Sequence, residues 1–258
     1  MANVISVCNQ KGGVGKTTTS VNLAAALTHN KKKILLIDMD PQGNATMGSG
    51  IDKNELDRTV ADALLVGDEN PDDIIIQSDE GYSLLPANQT LTYAEVKLLE
   101  EENRELVLKK KLINILKNYD SLIIDCPPSL NILTVNALAA SDAVIIPTQC
   151  EYYALEGLAA LLDTIEKIKT STNPDLKIEG ILRTMYDPRN NLSRDVSSEL
   201  ESYFGKQVLK SIIPRNINLA EAPSHGLSVI SYDLACKGSV AYLALAKEII
   251  KKTKGTKK

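Results

Sequence analysis

The chain has 258 residues, of which 43% are hydrophobic, and its formal net charge is −4. No apolar run approaches the roughly 20 residues of a membrane span, and the N-terminal residues lack the basic and apolar regions of a signal peptide. The four cysteines lie far apart without a CxxC pair, which argues against a zinc site, a dithiol redox motif or a disulfide framework and fits a reducing cytosol.

Charge is distributed unevenly along the chain. From Arg183 onward there are 13 Lys and Arg against 7 Asp and Glu, so the last third is basic and the remainder is acidic. A basic face on an acidic body suggests an anionic partner. On charge alone, a solvated basic face with a frayed Lys-rich tail is the stronger explanation.

Short apolar runs rich in β-branched residues alternate with stretches of helical periodicity. The runs predict strands at residues 4–8, 33–38, 121–125, 143–147, 177–182 and 208–213. Helices are predicted from Lys16 and over residues 96–116, 134–140, 155–169, 194–204 and 239–252. This alternation predicts an α/β fold, with a mostly parallel twisted sheet covered by helices on both faces. We expect one domain over residues 1–250 and a flexible basic tail over 251–258, with a less regular segment at 51–89.

The segment between the first predicted strand and helix has the pattern of a P-loop. Glycines allow backbone N–H groups to surround phosphate oxygens, and the following helix N-terminus favours an anion. Lys16 can reach the β- and γ-phosphates, and the Thr17 hydroxyl can hold Mg²⁺ directly. The standard pattern has Gly where this chain has Gln10, and Lys11 is additional. The predicted nucleotide-binding residues here are Lys11, Gly12, Gly13, Val14, Gly15, Lys16, Thr17 and Thr18.

Carboxylates close two of the predicted strands. Asp38 and Asp40 end the second strand, and Asp125 ends the strand at residues 121–125 in a Walker B arrangement. Carboxyl ends of parallel strands beside a P-loop are well placed to meet metal or water. For Asp38 alone, N-capping of a helix is the alternative.

The string K-G-G-V-G-K-T-T resembles the deviant Walker A box shared by ParA/Soj proteins, MinD and the nitrogenase iron protein, and D-x-D-P-Q-G-N is typical of the ParA branch. The resemblance implies a P-loop ATPase domain that forms a homodimer with two ATP molecules at its interface. It implies that Lys11 reaches the partner's nucleotide and acts in catalysis with Lys16 and Asp40, which positions the attacking water. Asp38 and Asp125 would support Mg²⁺ through water.

Three further strings, at residues 151–157, 184–192 and 213–226, are similar to ParA/Soj sequences, so that the resemblance covers almost the whole chain. In that family adenine lies near the loop after the penultimate strand, here Pro214, Arg215 and Asn216. The chain has no NKxD motif for guanine, which favours ATP. No helix-turn-helix precedes the P-loop, as in short ParA proteins.

Short ParA proteins bind DNA without sequence preference as ATP-bound dimers, and a ParB-like partner stimulates their weak hydrolysis. The resemblance therefore implies a cytoplasmic, nucleoid-associated switch in chromosome or plasmid segregation. Many relatives carry a basic residue where this chain has Asn218, which puts one family DNA contact in doubt. The candidate DNA contacts are Arg189, Arg215, Lys206, Lys210 and Lys237. The alternative for Arg189 is a loop arginine that pairs with Asp187 or Asp195, and for the lysines it is a solvated surface position.

Other functions of the same fold stay open. A MinD-like membrane ATPase would need an amphipathic C-terminal helix, but the apolar stripe within residues 241–250 is interpreted as a core-packing face, so no stable membrane association is expected. An iron–sulfur carrier would need paired Cys ligands. A small-molecule kinase or ligase, or a ParA-like ATPase that positions another cargo, would share the nucleotide site.

Overall fold

The computed structural model describes residues 2–65 and 70–256, with side chains described up to Thr253. In these residues eight strands form one sheet with the order β3-β4-β2-β5-β1-β6-β7-β8. All neighbouring pairs are parallel except β3 and β4, which are antiparallel. The strands are β1 (Asn3–Val7), β2 (Ile34–Asp38), β3 (Ile76–Gln77), β4 (Ser83–Leu85), β5 (Ser121–Asp125), β6 (Ala143–Gln149), β7 (Lys177–Tyr186) and β8 (Val208–Pro214).

Helices connect the strands and cover both faces of the sheet, as predicted. The α-helices of the described residues are α1 (Lys16–His29), α2 (Asn44–Met47), α3 (Val60–Leu65), α4 (Thr90–Leu98), α5 (Val107–Leu112), α6 (Ile132–Ala140), α7 (Ala154–Ser171), α8 (Asn191–Phe204), α9 (Asn218–Glu221), α10 (Val229–Tyr232) and α11 (Lys237–Thr256). Short 3-10 turns lie between several of them.

The core consists of two layers, one on each side of the sheet. Alternate strand residues point to opposite faces. Ile123 therefore packs with α1 and α11, while its neighbour Ile124 packs in the layer formed with α3 to α8. All six predicted strands are present, and their continuous apolar sequences follow from burial on both faces. The predicted fold class is confirmed.

The single helix expected over residues 96–116 is wrong. α4 ends at Leu98, and α5 begins only at Val107. Asn103 between them has a φ of 53°, which no α-helix accommodates. The Arg104 guanidinium donates to the Leu99 carbonyl over 2.7 Å and thereby satisfies the end of α4. Apolar periodicity runs through this break because both helices bury one face against the same core layer.

The C-terminal helix bears on two expectations. Tyr242, Leu245, Ala246 and Ile249 of α11 are buried in the core, which confirms the predicted core-packing face. The expected boundary at residue 251 is not a break, because α11 continues to Thr256 and Lys252 pairs with Glu179 at 3.5 Å. Residues 257–258 lie outside the described residues. No helix in the described ranges combines the length and apolarity that crossing a bilayer requires.

Two glycines hold the loop after α2 against the loop before α10. Gly50 and Gly226 have φ values of 80° and 65°. A Cβ added at Gly226 would lie 2.7 Å from the Gly50 Cα atom, so neither position has room for a side chain. The segment that follows Asp40 along the chain is thereby fixed against the C-terminal part.

Candidate nucleotide-binding site

The site lies where three neighbouring parallel strands end. Val7 of β1, Asp125 of β5 and Asp38 of β2 are register partners across the sheet. The P-loop follows β1 directly, so its glycines and lysines lie over these two carboxylates. This edge of a parallel sheet is where α/β proteins bind their ligands.

The P-loop is shaped as a cradle for an anion. Gly13 and Gly15 have φ values of 73° and 86°, in the left-handed region that glycine enters without strain. Gly15 is the N-cap of α1 and provides no side chain to cap it. The first N–H groups of α1 thus have no side-chain cap, and a phosphate would satisfy them.

The two lysines of the loop occupy different positions. Lys16 is buried, and its Nζ donates to the Lys11 carbonyl over 3.2 Å. The Lys11 side chain is 35% exposed, and its Nζ forms an ion pair with Glu151 over 2.9 Å. Lys16 therefore lines the cavity beside the P-loop, whereas the Lys11 side chain is directed to Glu151 and does not line it.

Asp125 is held by two hydroxyls of the P-loop helix. Thr17 Oγ1 and Ser20 Oγ donate to its two carboxylate oxygens over 2.8 and 2.7 Å. The carboxyl is fully buried, and burial followed by the neighbouring Asp38 charge raises the pKa of Asp125 to about 8. A cation bound at the Thr17 hydroxyl would stabilise the ionised form of Asp125.

Asp38 is tied to the loop that follows it. Its Oδ2 accepts from the Thr46 backbone N–H and hydroxyl over 2.9 and 2.8 Å, and its Oδ1 accepts from the Asp40 N–H over 3.1 Å. Burial raises the pKa of Asp38 to about 6. Thr46 was not foreseen, because a threonine eight residues downstream carries no local signal. Thr46 lies in the first turn of α2, so Asp38 caps that helix, as the N-capping alternative expects, and its further bonds to the Thr46 hydroxyl and the Asp40 N–H organise the rest of the loop.

Asp40 lies closer to the surface of the site than Asp38. Its Oδ1 accepts from the Gln42 N–H over 2.9 Å, and the residue lines the same cavity as the P-loop. That leaves its other carboxylate oxygen available for water. These positions suit Mg²⁺ at the Thr17 hydroxyl, with Asp38 and Asp125 behind it and Asp40 facing the phosphate end.

A cavity of about 540 Å³ extends from the P-loop to the end of β8. Pro214, Arg215 and Asn216, the predicted adenine contacts, are among its lining residues. The Asn216 Oδ1 atom is buried and has no hydrogen-bond partner. The cavity residues that sequence reasoning missed are Gln42, Asn44, Pro128, Ile213, Leu219, Ala220 and Tyr242. The last of these comes from α11, and only the tertiary fold brings it here.

The structure divides the candidate DNA contacts into two groups. Arg189 and Arg215 lie together at the carboxyl ends of β7 and β8, with Asp187 between them, and α11 brings Lys237 to the same end beside Asn216. Lys206 precedes β8, and Lys210 lies in the first half of that strand. These two lysines do not join the first group.

The charge of Arg189 is already partly neutralised. Its Nε and Nη2 atoms donate to the two carboxylate oxygens of Asp187 over 3.0 and 2.8 Å, and this pair lowers the pKa of Asp187 to about 2. Asn218 donates to Asp233 over 3.0 Å. The position at which many relatives carry a basic residue is therefore engaged within the fold.

Comparison with known proteins supports the sequence resemblance. A family model described as an AAA domain matches residues 2–178. The chain is 52% identical over 96% of its length to the sporulation initiation inhibitor protein Soj of Bacillus subtilis, of which it covers 98%. It is 49% identical over 98% of its length to the chromosome partitioning protein ParA of Myxococcus xanthus, of which it covers 89%.

A similar solved structure is that of cobyrinic acid a,c-diamide synthase from Mycobacterium smegmatis with bound ADP and magnesium. It is 41% identical to this chain, with a TM-score of 0.87, and the match covers 98% of this chain and 96% of the other. The likeness therefore includes a protein that binds a nucleotide and magnesium on the same fold.

Proposed function

The chain belongs to the ParA/Soj family of partitioning ATPases, and on that premise we propose that it is a DNA-partitioning switch driven by ATP. It is an ATPase that uses ATP with Mg²⁺. In the proposed cycle, ATP binding produces a homodimer that binds nucleoid DNA without sequence preference. A ParB-like partner then stimulates hydrolysis, and the ADP-bound monomer leaves the DNA.

The observation that carries the proposal is the separation of the two P-loop lysines. Lys16 lies inside the cradle, where it would bind the β- and γ-phosphates. The Lys11 side chain is paired with Glu151 and does not line this cavity, and it would turn to the nucleotide of a second subunit. A P-loop lysine whose side chain is directed away from its own cavity favours a site completed by dimerisation.

Hydrolysis is assigned to Asp40 with the two lysines. Mg²⁺ would supply charge neutralisation to the phosphates, with Thr17 as its direct protein ligand and Asp38 and Asp125 behind it. Asp40 would orient the attacking water, because it lines the phosphate end of the cavity. At the other end, the unpartnered oxygen of Asn216 would accept a hydrogen bond from the amino group of adenine, which guanine lacks at that position.

DNA binding is assigned to Arg189, Arg215 and Lys237. They share one end of the molecule and can contact neighbouring phosphates, whereas Lys206 and Lys210 would be secondary contacts. Asn218 is uncharged, and the charge of Arg189 is partly neutralised by Asp187. We therefore expect DNA binding to be weaker than it would be with a basic residue at position 218 and an unpaired Arg189. The cargo would be a chromosome or a plasmid, and the location the nucleoid in the cytoplasm.

The test is binding to a non-specific DNA duplex without nucleotide, with ADP and with ATP, using Asp40→Ala to block hydrolysis. We expect binding only with ATP, absent in Lys16→Ala, weaker in Arg189→Ala and decreasing steeply with salt. No DNA binding in any state, despite ATP-dependent dimerisation, would refute the DNA part and favour a MinD-like membrane role or another cargo.

A ligase function is the alternative raised by the name of the similar solved structure. It predicts ATP turnover that depends on cobyrinic acid and is indifferent to DNA. Wild-type ATP turnover, assayed with cobyrinic acid and with DNA in parallel, separates the two functions, with Lys16→Ala as the inactive control.

A further inference from the structure

Helix α4 is apolar on two opposite sides. Its inner side, Leu91, Ala94 and Leu98, is fully buried in the core. On the outer side, Tyr93, Val96 and Leu99 are 60%, 57% and 53% exposed. Residues three apart on a helix are neighbours, so these three side chains form one continuous strip, here called the α4 outer face. An exposed apolar strip on a surface helix indicates a site of protein contact.

The surroundings of the α4 outer face are acidic. Within residues 93–105 the two cations are both paired: Lys97 with Glu100 over 3.0 Å, where it also lies 6.0 Å from the Tyr93 ring centroid, and Arg104 with Glu105 over 3.4 Å. The acidic residues between positions 93 and 105 are Glu95, Glu100, Glu101, Glu102 and Glu105. Repulsion between like charges excludes DNA and anionic lipid as occupants. The complementary partner is a basic segment with apolar side chains spaced three or four residues apart.

The start of α4 is connected to the loop that carries Asp40. The Ala87 N–H donates over 2.9 Å to the Thr46 hydroxyl, which itself donates to Asp38. A Cβ added at Gly43 would lie 2.6 Å from the Ala87 carbonyl oxygen, so the two backbones are already in contact. A displacement of the N-terminal end of α4 must therefore move the loop at residues 40–46.

We propose that the α4 outer face is the docking site for a basic, apolar-anchored segment of the partner that stimulates hydrolysis. This inference rests on the proposed function and adds the surface at which the partner acts. Docking on Tyr93, Val96 and Leu99 changes the position of residues 87–89, and through Thr46 and Gly43 it orients Asp40 for attack of water.

The experiment measures ATP turnover against the concentration of the ParB-type protein from the same genome, and of a synthetic basic peptide with apolar residues three or four positions apart. The variants are Val96→Glu and Tyr93→Ala. Tyr203→Ala is the matched control, since Tyr203 is also a helical tyrosine and is 75% exposed. We expect the half-maximal partner concentration to rise about tenfold in both variants, as for an interface anchor. Turnover without partner, ATP-dependent DNA binding and the Tyr203→Ala curve stay at the wild-type level.

Two further measurements test the contributions of charge and of apolar contact to docking. Glu101→Lys should weaken stimulation with an effect that decreases as salt rises. A peptide of the same charge without apolar residues should not stimulate. Wild-type stimulation curves for Val96→Glu would overturn the docking site while leaving the switch intact. Absence of stimulation in the wild type would refute the partner step of the proposed function and this inference with it. A change of oligomeric state in Val96→Glu without loss of stimulation would overturn the proposal and favour self-association.

Discussion

Replacing Thr46 with valine should break the hydrogen-bonded link between Asp38 and the Ala87 backbone. The Thr46 hydroxyl is fully buried, donates to Asp38 over 2.8 Å and accepts from the Ala87 N–H over 2.9 Å. Valine has nearly the same shape but makes neither bond. The loss removes a hydrogen bond to a charged group and leaves a buried N–H unpaired, each worth about 1–3 kcal/mol. We expect the free energy of unfolding to decrease by about 3 kcal/mol in total.

The variant should also show a distinct pH dependence. The pKa of Asp38 is raised by burial to about 6, so the folded protein holds a proton that the unfolded chain releases near pH 4. Stability due to Asp38 is therefore present at low pH and is lost as the pH rises through 6. Thr46→Val removes a donor to the ionised form of Asp38 and raises this pKa further. The difference in free energy of unfolding between the wild type and Thr46→Val should therefore grow between pH 5 and pH 8.

The assay is urea unfolding at a series of pH values without nucleotide, with Thr46→Ser as the control that keeps the hydroxyl. Thr46→Ser should lose about 1 kcal/mol from the missing methyl group and show the wild-type pH dependence. Equal stability of the valine and serine variants across this range would refute the role assigned to the hydroxyl.

Three further predictions concern single residues. Asp125→Asn should stabilise the nucleotide-free protein increasingly as the pH rises toward 8, since the pKa of this buried carboxyl is raised; a constant gap in urea unfolding would contradict this. Asp187→Asn should free Arg189 and strengthen ATP-dependent DNA binding severalfold, with a steeper salt dependence; unchanged affinity would show that Arg189 lies off the DNA surface. Gly226→Ala should lower the free energy of unfolding by about 2 kcal/mol or more, because the added Cβ would lie 2.7 Å from the Gly50 Cα atom; unchanged urea unfolding would refute the steric argument.

Much of the site could be predicted because its signals are local. The P-loop, Asp38 and Asp125 each adjoin a buried strand, and strands of this kind are recognisable as continuous apolar runs. The parallel sheet then places all three at one edge. The partners of these residues could not be predicted, because Thr46 and Glu151 meet Asp38 and Lys11 only in the folded chain.

The errors have the same physical origin. Periodicity over residues 96–116 indicates a buried face but carries no information on the turn at Asn103, where the chain takes a left-handed conformation. The small strands β3 and β4 lie within the segment that looked irregular, because two or three residues give no periodic signal. The pairing of Arg189 with Asp187, by contrast, is foreseen as an alternative, because the two residues lie only two positions apart.

The position of β1 in the sheet has a consequence for biosynthesis. The first strand of the chain lies between β5 and β6, and its register partners begin at Ser121 and Ala143. At about 5–20 residues per second, the ribosome needs roughly 6 to 24 seconds after β1 to deliver β5. During that interval the apolar β1 and the adjoining P-loop have no native neighbour on either side. A nascent chain of this protein therefore exposes an apolar strand until residue 121 has been made, and Thr17 and Ser20 meet their carboxylate partner only when Asp125 arrives.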